Sequence, residues 1–116
     1  MWEVRPKIIL QYLKEDESCP FEEWFVGLKD TMGKAIIAAR IEKIRVGNEG
    51  NEKSVGEGVW ESKIYFGPGY RIYFGKEGLS RVILLLGGTK KHQSEDIARA
   101  QEYWADYLEN GHAKEK

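Results

Sequence analysis

The sequence predicts an α+β protein in which a mainly antiparallel sheet carries a helical hairpin on one face and is followed by a C-terminal helix. Three observations support this class: an Ile- and Leu-rich strand near the start, two amphipathic helical patterns after it, and three short strands joined by glycine turns before a last helix. The predicted element order is therefore β-α-α-β-β-β-α. A chain of 116 residues can bury a core without metal ions or disulfides. We expect a single domain over residues 1–110 and a frayed tail over residues 111–116.

The N-terminal half predicts one strand and two helices. Val4 to Leu13 has the composition of a strand and ends in a polar turn. Pro20 favours the first turn of a helix, and Asp30-Thr31 can cap a second one. The apolar side chains of the two helices recur at helical spacing; they are Phe21, Trp24, Phe25 and Leu28 in the first helix, and Met32, Ile36, Ile37, Ile41 and Ile44 in the second.

The C-terminal half predicts a loop, a three-stranded meander and a helix. Gly47 to Gly58 is rich in Gly, Asn and Glu and has no periodicity, so we expect a loop. Short glycine-containing turns join antiparallel neighbours, and the predicted strands are Val59 to Phe66, Tyr70 to Phe74 and Ser80 to Leu86. Ser94 predicts the cap of the last helix, with acidic residues in its first turn. Its expected buried side is Ile97, Ala100, Trp104 and Leu108.

Composition excludes several classes of protein. The longest apolar run, Val82 to Leu86, is far shorter than the ~20 residues that a membrane-spanning helix needs. The N-terminus lacks the basic and then apolar layout of a signal peptide. Cys19 is the single cysteine, which excludes an intramolecular disulfide and a cysteine metal site. We therefore expect a cytoplasmic protein without a membrane contact, a metal ion or a small-molecule cofactor.

The charged residues are distributed unevenly, although the formal net charge is only −1. Residues 59–93 contain six basic and two acidic side chains, whereas residues 94–116 contain three basic and six acidic ones. A basic middle with an acidic flank is one way for a small protein to form a local anion-binding face. Such asymmetry also arises by chance in short windows, so it needs support from particular residues.

Strand alternation predicts which side chains share a face of the sheet. The apolar sets of the meander belong against the helical hairpin, so the opposite face is expected to be open to a ligand. Neighbouring strands would then bring together Lys63, Tyr65, Arg71 and Tyr73. The last strand continues into Lys90, Lys91 and His92, which places further cations and an imidazole at one end of the sheet.

Cations beside aromatic rings on a sheet suit single-stranded RNA, whose phosphates pair with basic groups while its bases stack on rings. Cleavage of RNA without a metal requires deprotonation of the 2′-hydroxyl, stabilisation of the phosphorane charge and protonation of the leaving 5′-oxygen. Arg71 is the best candidate to stabilise phosphate charge, because its planar fork matches two oxygens. A lysine or His92 is a candidate general base or acid.

The candidate residues divide into two groups. The candidate catalytic residues are Lys63, Arg71, Tyr73, Lys90 and Lys91, and the candidate RNA contacts are Tyr65, Arg81 and His92. The alternative interpretation is structural: exposed strand lysines often serve only solubility, a histidine beside a helix cap is often a surface residue, and paired tyrosines often pack across strands.

Two segments resemble a known toxin family. The segment Gly67-Pro68-Gly69-Tyr70-Arg71-Ile72-Tyr73-Phe74 and the stretch from Leu84 to Ile97, with its Gly-Gly-Thr-Lys-Lys-His-Gln run, are similar to the phage-derived Gp49-like (addiction module killer protein) branch of the RelE/ParE/HigB toxin superfamily. Phe21-Glu22-Glu23-Trp24 and the residues 47–50 resemble the same family's helix and loop. The resemblance covers nearly the whole chain.

The resemblance implies a RelE-like fold, a helix-turn-helix antitoxin as partner, and cleavage of mRNA on the ribosome. At the matching positions it implies catalytic roles for Lys63, Arg71 and Tyr73, and, less closely matched, for Lys90 and Lys91. The sequence departs from the branch at Lys63, where an arginine is common, and at Thr89, where an acidic or amide residue is common. The lysine keeps the charge but loses a bidentate phosphate contact.

Three functions remain open at this point. The first is a ribosome-dependent, metal-independent mRNA endoribonuclease. The second is a non-enzymatic inhibitor of gyrase like the ParE relatives, since one fold serves both roles. The third is a degenerate toxin that acts only in antitoxin binding and operon regulation. We expect the antitoxin to dock on exposed apolar surface of the helical hairpin or the last helix, including Trp104 and Tyr107.

Overall fold

The computed structural model describes residues 6–47 and 52–116, which form three α-helices and one six-stranded mixed sheet. The strands are β1 (Ile8–Tyr12), β2 (Glu52–Ser54), β3 (Val59–Ile64), β4 (Tyr70–Glu77), β5 (Arg81–Thr89) and β6 (Ala113–Glu115). The helices are α1 (Pro20–Gly27), α2 (Thr31–Arg45) and α3 (Gln93–Asn110), and a 3₁₀ turn (Lys90–His92) joins β5 to α3. The predicted α+β class is confirmed, and every predicted element is present.

The strand order in the sheet is β2-β3-β4-β5-β1-β6. The antiparallel meander β3-β4-β5 matches the prediction, and β1 lies parallel to β5. Two short strands were not predicted: β2, which lies in the expected loop, and β6 at the C-terminus. The start of the predicted first strand (residues 4 and 5) and the family-like loop residues 48–50 lie outside the described residues.

The C-terminal tail is ordered as an edge strand, so the expectation that residues 111–116 are frayed is wrong. β6 runs antiparallel to β1, with Leu10 opposite Glu115 and Tyr12 opposite Ala113. The physical reason is that β1 pairs with β5 on one side and would otherwise present unpaired backbone on the other. The ammonium group of Lys114 also contacts the Glu22 carboxylate at 2.6 Å, which links the tail to α1.

Helices cover both faces of the sheet. On one face α1 and α2 pack on a core formed by Ile9, Phe21, Ile37, Ile41, Ile44, Ile64, Tyr70, Ile72, Phe74, Val82 and Leu84. On the other face α3 packs on a second core formed by Leu10, Tyr12, Val59, Tyr73, Ile83, Leu85, Leu86, Ala100, Trp104 and Tyr107. The expectation that one face of the sheet is open to a ligand is therefore wrong, because the C-terminal helix returns across it.

The packing of α3 also corrects the expected docking surface. Trp104 lies directly over β4 at Gly75, where a Cβ would overlap the indole ring. Trp104 and Tyr107 are both only 5% exposed, so they belong to the core and cannot receive an antitoxin. Leu108, predicted to be buried, is exposed instead. The buried side of the helix begins one residue earlier than predicted, at Asp96 rather than Ile97.

The hairpin of α1 and α2 forms largely as predicted. Asp30 caps α2, since its Oδ1 accepts a hydrogen bond from the Gly33 amide at 2.8 Å and its Oδ2 accepts one from the Tyr70 hydroxyl at 2.8 Å. These two hydrogen bonds hold the pKa of Asp30 below its usual value. Met32, expected to face inward, is exposed. No helix within the described ranges has both the length and the apolar character needed to cross a bilayer.

Candidate functional site

The candidate residues meet at one end of the sheet, where β3 ends, β4 begins and β5 ends. Lys63 is opposite Arg71 in the register of β3 and β4, and Arg71 is opposite Gly88 in the register of β4 and β5. The amide of Lys90 donates to the carbonyl of Gly69 at 3.0 Å. Because neighbouring strands are about 4.8 Å apart, the backbones of Lys63 and Lys90 are separated by roughly 10 Å.

Three lysines at this end, Lys63, Lys90 and Lys91, form what we call the lysine cluster. Lys90 and Lys91 are exposed and Lys63 is partly exposed. In the part of the chain that the structure describes, none of the three forms an ion pair with an acidic side chain. Tyr65, 80% exposed, follows Lys63 after the end of β3. The end of the sheet therefore offers unneutralised positive charge beside an accessible ring.

Arg71 does not lie on an open face, contrary to the prediction. Its side chain is buried, its Nη1 donates to the Gly69 carbonyl at 2.7 Å, and its Nε lies 3.7 Å from Oε2 of Glu61. The same Gly69 carbonyl receives the Lys90 amide. Through this shared carbonyl, Arg71 stabilises the contact between the β3–β4 turn and the segment that carries Lys90.

A buried polar network surrounds Arg71. Glu61 is fully buried, and its Oε2 accepts a hydrogen bond from Nε2 of Gln93, the first residue of α3, at 2.8 Å. Tyr73 is also fully buried, and burial, followed by the negative charge of Glu61, raises the pKa of its phenol. Among the described residues, Glu61 Oε1, Arg71 Nε and the Tyr73 hydroxyl have no hydrogen-bond partner. The network positions α3. The expectation that Tyr73, a candidate catalytic residue, lies on an open face is wrong, because α3 covers its side chain.

Arg81 lies away from the other candidates. It is the first residue of β5, whereas the lysine cluster lies at the other end of this nine-residue strand. At ~3.3 Å per residue, Arg81 and the lysine cluster are about 26 Å apart. Its Nη1 lies 3.3 Å from Oε1 of Glu77. The structure therefore brings together Lys63, Tyr65, Lys90, Lys91 and His92, with Arg71 buried behind them and Arg81 remote.

A cleft of about 450 Å³ adjoins the lysine cluster between α1 and the first turn of α3. The end of β5 forms its floor, and Trp24 of α1 forms one wall. The other wall consists of His92 and the first two turns of α3. The lining residues are Trp24, Leu86, Gly87, Gly88, Thr89, His92, Glu95, Asp96 and Arg99. Asp96 is only 8% exposed, and burial raises its pKa above the usual range. His92 lies within 3.9 Å of the Glu95 carboxylate at the mouth.

Sequence reasoning missed Trp24 and Asp96 as site residues, because it assigned the first to the core and the second to the helix dipole. A usable signal was the pair Gly87-Gly88 inside a strand, since glycine there often marks a close approach by another group. Within residues 6–47 and 52–116, no group of three His, Cys, Asp or Glu side chains is arranged to hold a metal ion.

The fold and site define an α+β protein with a two-sided sheet and a lysine-rich end that adjoins a cleft. An uncharacterized protein of Haemophilus influenzae (strain ATCC 51907 / DSM 11121 / KW20 / Rd) is 43% identical to this chain over 81 residues, which cover 70% of this chain and 82% of that protein. The chain belongs to the same family as this uncharacterized protein. No protein-family model matches the sequence. No solved structure matches it.

Proposed function

We propose that this protein is the toxin of a toxin–antitoxin pair, a RelE-like endoribonuclease that cleaves mRNA on the ribosome and is neutralised by a helix-turn-helix antitoxin. The observation that carries the proposal is the lysine cluster: three lysines that pair with no acidic side chain of residues 6–47 and 52–116, beside the exposed Tyr65, at one end of the sheet. Phosphates paired with lysines and bases stacked on a ring are the contacts that single-stranded RNA requires.

The lysine cluster supplies the charge for cleavage. An unprotonated imidazole of His92 or amine of one lysine accepts the 2′-hydroxyl proton, and the 2′-oxygen attacks the adjacent phosphorus. The bond to the 5′-oxygen breaks as that oxygen receives a proton from a second, protonated lysine. The products are a 2′,3′-cyclic phosphate and a 5′-hydroxyl end. Lys63, Lys90 and Lys91 stabilise the phosphorane charge. Arg71 does not contact the RNA and acts as a positioning residue. It donates a hydrogen bond to the Gly69 carbonyl, which also accepts the amide of Lys90 and so holds the turn against the Lys90 segment.

Dependence on the ribosome fits the modest chemistry of this site. The exposed groups of the lysine cluster and His92 are basic, and the acidic side chains nearby, Glu95 and Asp96, belong to the adjoining cleft. Positioning of the RNA by a partner can supply a large part of a rate enhancement. The ribosome is therefore the proposed source of that positioning.

The experiment compares three proteins induced in a host without the antitoxin: wild type, the triple variant Lys63→Ala/Lys90→Ala/Lys91→Ala, and Lys43→Ala. Lys43 is an exposed lysine in the last turn of α2 and serves as the matched control. We expect growth arrest and new in-frame 5′ ends in messages with wild type and Lys43→Ala, and neither with the triple variant. Arrest by a folded triple variant equal to that of wild type would contradict the proposal.

The burial of Arg71 and Tyr73 favours one alternative, a non-enzymatic toxin with the same fold. A ParE-like gyrase inhibitor would arrest growth with intact messages and would accumulate cleaved DNA–gyrase complexes. A degenerate toxin that only binds its antitoxin and regulates its operon would leave growth unchanged when wild type is induced.

A further inference from the structure

We propose that the cleft between α1 and α3 binds one base of single-stranded RNA and prefers guanine. The inference rests on the proposed function, since it assigns sequence preference to the surface beside the lysine cluster. Two walls define the cleft: the Trp24 ring on one side and the Asp96 carboxylate on the other, with the end of β5 as the floor.

The two glycines of the floor make room for these walls. A Cβ at Gly87 would overlap the Trp24 ring, and a Cβ at Gly88 would overlap the Asp96 carboxylate. Both side chains therefore pack on the strand, one on each face. They do so beyond Leu84, the last residue of β5 that pairs with β1. The result is a slit with an aromatic side and an acidic side.

Asp96 is the feature that points to a ligand. Its side chain is more than nine-tenths buried and lines the cleft, yet it accepts no hydrogen bond from any residue that the structure describes. Its oxygens are not among the fully buried polar atoms that lack a partner, so they face the open cleft and can accept hydrogen bonds from a ligand there. The charged groups around it are Arg99, His92 and Glu95 of its own segment, whereas α1 and β5 contribute uncharged residues only; these are Trp24, Leu86, Gly87, Gly88 and Thr89.

Guanine supplies the donors that Asp96 lacks. Its Watson–Crick edge presents two adjacent donors, N1–H and N2–H, which match the two oxygens of a carboxylate. Guanine also has the O6 acceptor on that edge, but its two donors are adjacent. Adenine, cytosine and uracil each place a single donor beside an acceptor there, so one oxygen of the carboxylate would face an acceptor. Trp24 is partly buried. An edge contact with Tyr70 at 6.1 Å and a tilted contact with Phe21 at 5.7 Å, both between ring centroids, hold its ring in place for stacking.

The lysine cluster continues directly into the cleft. Lys90 and Lys91 immediately precede His92, which lines the cleft mouth together with Thr89. A strand of RNA whose phosphates follow the lysines can therefore place its next base in the cleft, with one face on Trp24 and its Watson–Crick edge toward Asp96. The alternative ligand is an extended peptide that pairs with the edge of β5 beyond Leu84. A nucleobase is favoured because this edge spans only the last residues of the strand, where Trp24 and Asp96 cover its two faces.

The test uses two pentanucleotides, UUGUU and UUAUU, made non-cleavable by 2′-O-methylation. Affinity is measured by fluorescence anisotropy, and the indole N–H resonance of Trp24 is followed by NMR after assignment with Trp24→Phe. We expect the guanine probe to bind about tenfold more tightly than the adenine probe and to shift the Trp24 resonance. Asp96→Asn should lose that preference and favour adenine, which an amide pairs with well. Glu102→Gln, at an exposed glutamate of the same helix outside the cleft, should keep it.

The outcomes separate this inference from the proposed function. Equal binding of both probes, still dependent on Lys90 and Lys91, would overturn the guanine site and leave the RNA-binding toxin standing. Binding of neither probe, together with no Trp24 shift on titration with GMP, would overturn the guanine site, whereas the proposed function is decided separately by the induction experiment. A Trp24 shift produced only by an alternating valine–threonine hexapeptide would assign the cleft to a peptide and overturn the inference.

Discussion

At the scale of single residues, the position of Arg71 changes how its mutation should be interpreted. Arg71 and Glu61 are a buried ion pair, 3.7 Å apart, and Glu61 has no other cationic partner among the described residues. Removing one member of such a pair leaves an uncompensated buried charge, whereas removing both is often tolerated. Loss of toxicity in an Arg71 variant would therefore report unfolding as readily as chemistry.

We predict that Arg71→Met lowers the free energy of unfolding by about 3–5 kcal/mol. Adding Glu61→Gln should recover part of this loss, because it removes the charge left behind in the core. Lys63→Met, at the register partner of Arg71, should change stability far less because Lys63 forms no ion pair in the described part of the chain. Urea unfolding of the three variants measures these differences; a double variant no more stable than Arg71→Met would contradict the charge argument.

Asp96 gives a pH-dependent prediction at the same scale. Burial raises its pKa in the folded protein, so the protonated form of Asp96 favours folding and its ionisation opposes it. The stability that the protonated form contributes is lost as pH rises through the raised pKa. Asp96→Asn should therefore match wild type at acidic pH and exceed it in Tm at neutral pH. His92, Glu95 and Arg99 are present in both proteins, so the difference between the two curves measures the substitution at Asp96.

The measurement is Tm across pH for wild type, Asp96→Asn and Glu95→Gln. A more stable Asp96→Asn that has lost its guanine preference would show that the wild-type carboxylate is retained for binding at the expense of stability. An Asp96→Asn variant less stable than wild type at neutral pH would mean that Asp96 supports the fold through contacts of its charged form.

At the scale of elements, local patterns predicted the long elements and failed at the short ones. Pro20 and Asp30 mark helix starts through backbone chemistry that does not depend on the rest of the fold. The segment Ala113–Glu115 has no strand pattern of its own, and it is a strand because β1 offers it an edge. Sequence periodicity contains no information about such a distant edge.

The same distinction explains the candidate site. Alternation along β3 and β4 correctly placed Lys63 and Arg71 on one face, since the two are register partners. It could not show that α3 covers that face, because the return of a helix over a sheet depends on the packing of Trp104 against Gly75. The exposed lysines were found because they follow a strand end, and the cleft was missed because its walls come from α1 and α3.

At the scale of the whole molecule, coverage of both sheet faces limits where a ligand can bind. A polymer can reach this protein along an end or an edge of the sheet, and the end formed by β3, β4 and β5 is where the lysine cluster lies. The formal net charge of −1 gives no general attraction for RNA. Any affinity for a polyanion must therefore come from the local cluster, and its dependence on salt reports how many lysines take part.

We predict that the affinity for a non-cleavable single-stranded RNA falls with salt with a slope of about −2 in log K against log salt. Three lysines at about −0.7 per neutralised phosphate give this value. The triple variant Lys63→Ala/Lys90→Ala/Lys91→Ala should bind weakly with a slope near zero, and Lys43→Ala should retain the wild-type slope. Fluorescence anisotropy between roughly 50 and 200 mM salt measures the slopes. An unchanged slope in the triple variant would place the RNA on another surface, because release of counterions would then occur without the lysine cluster.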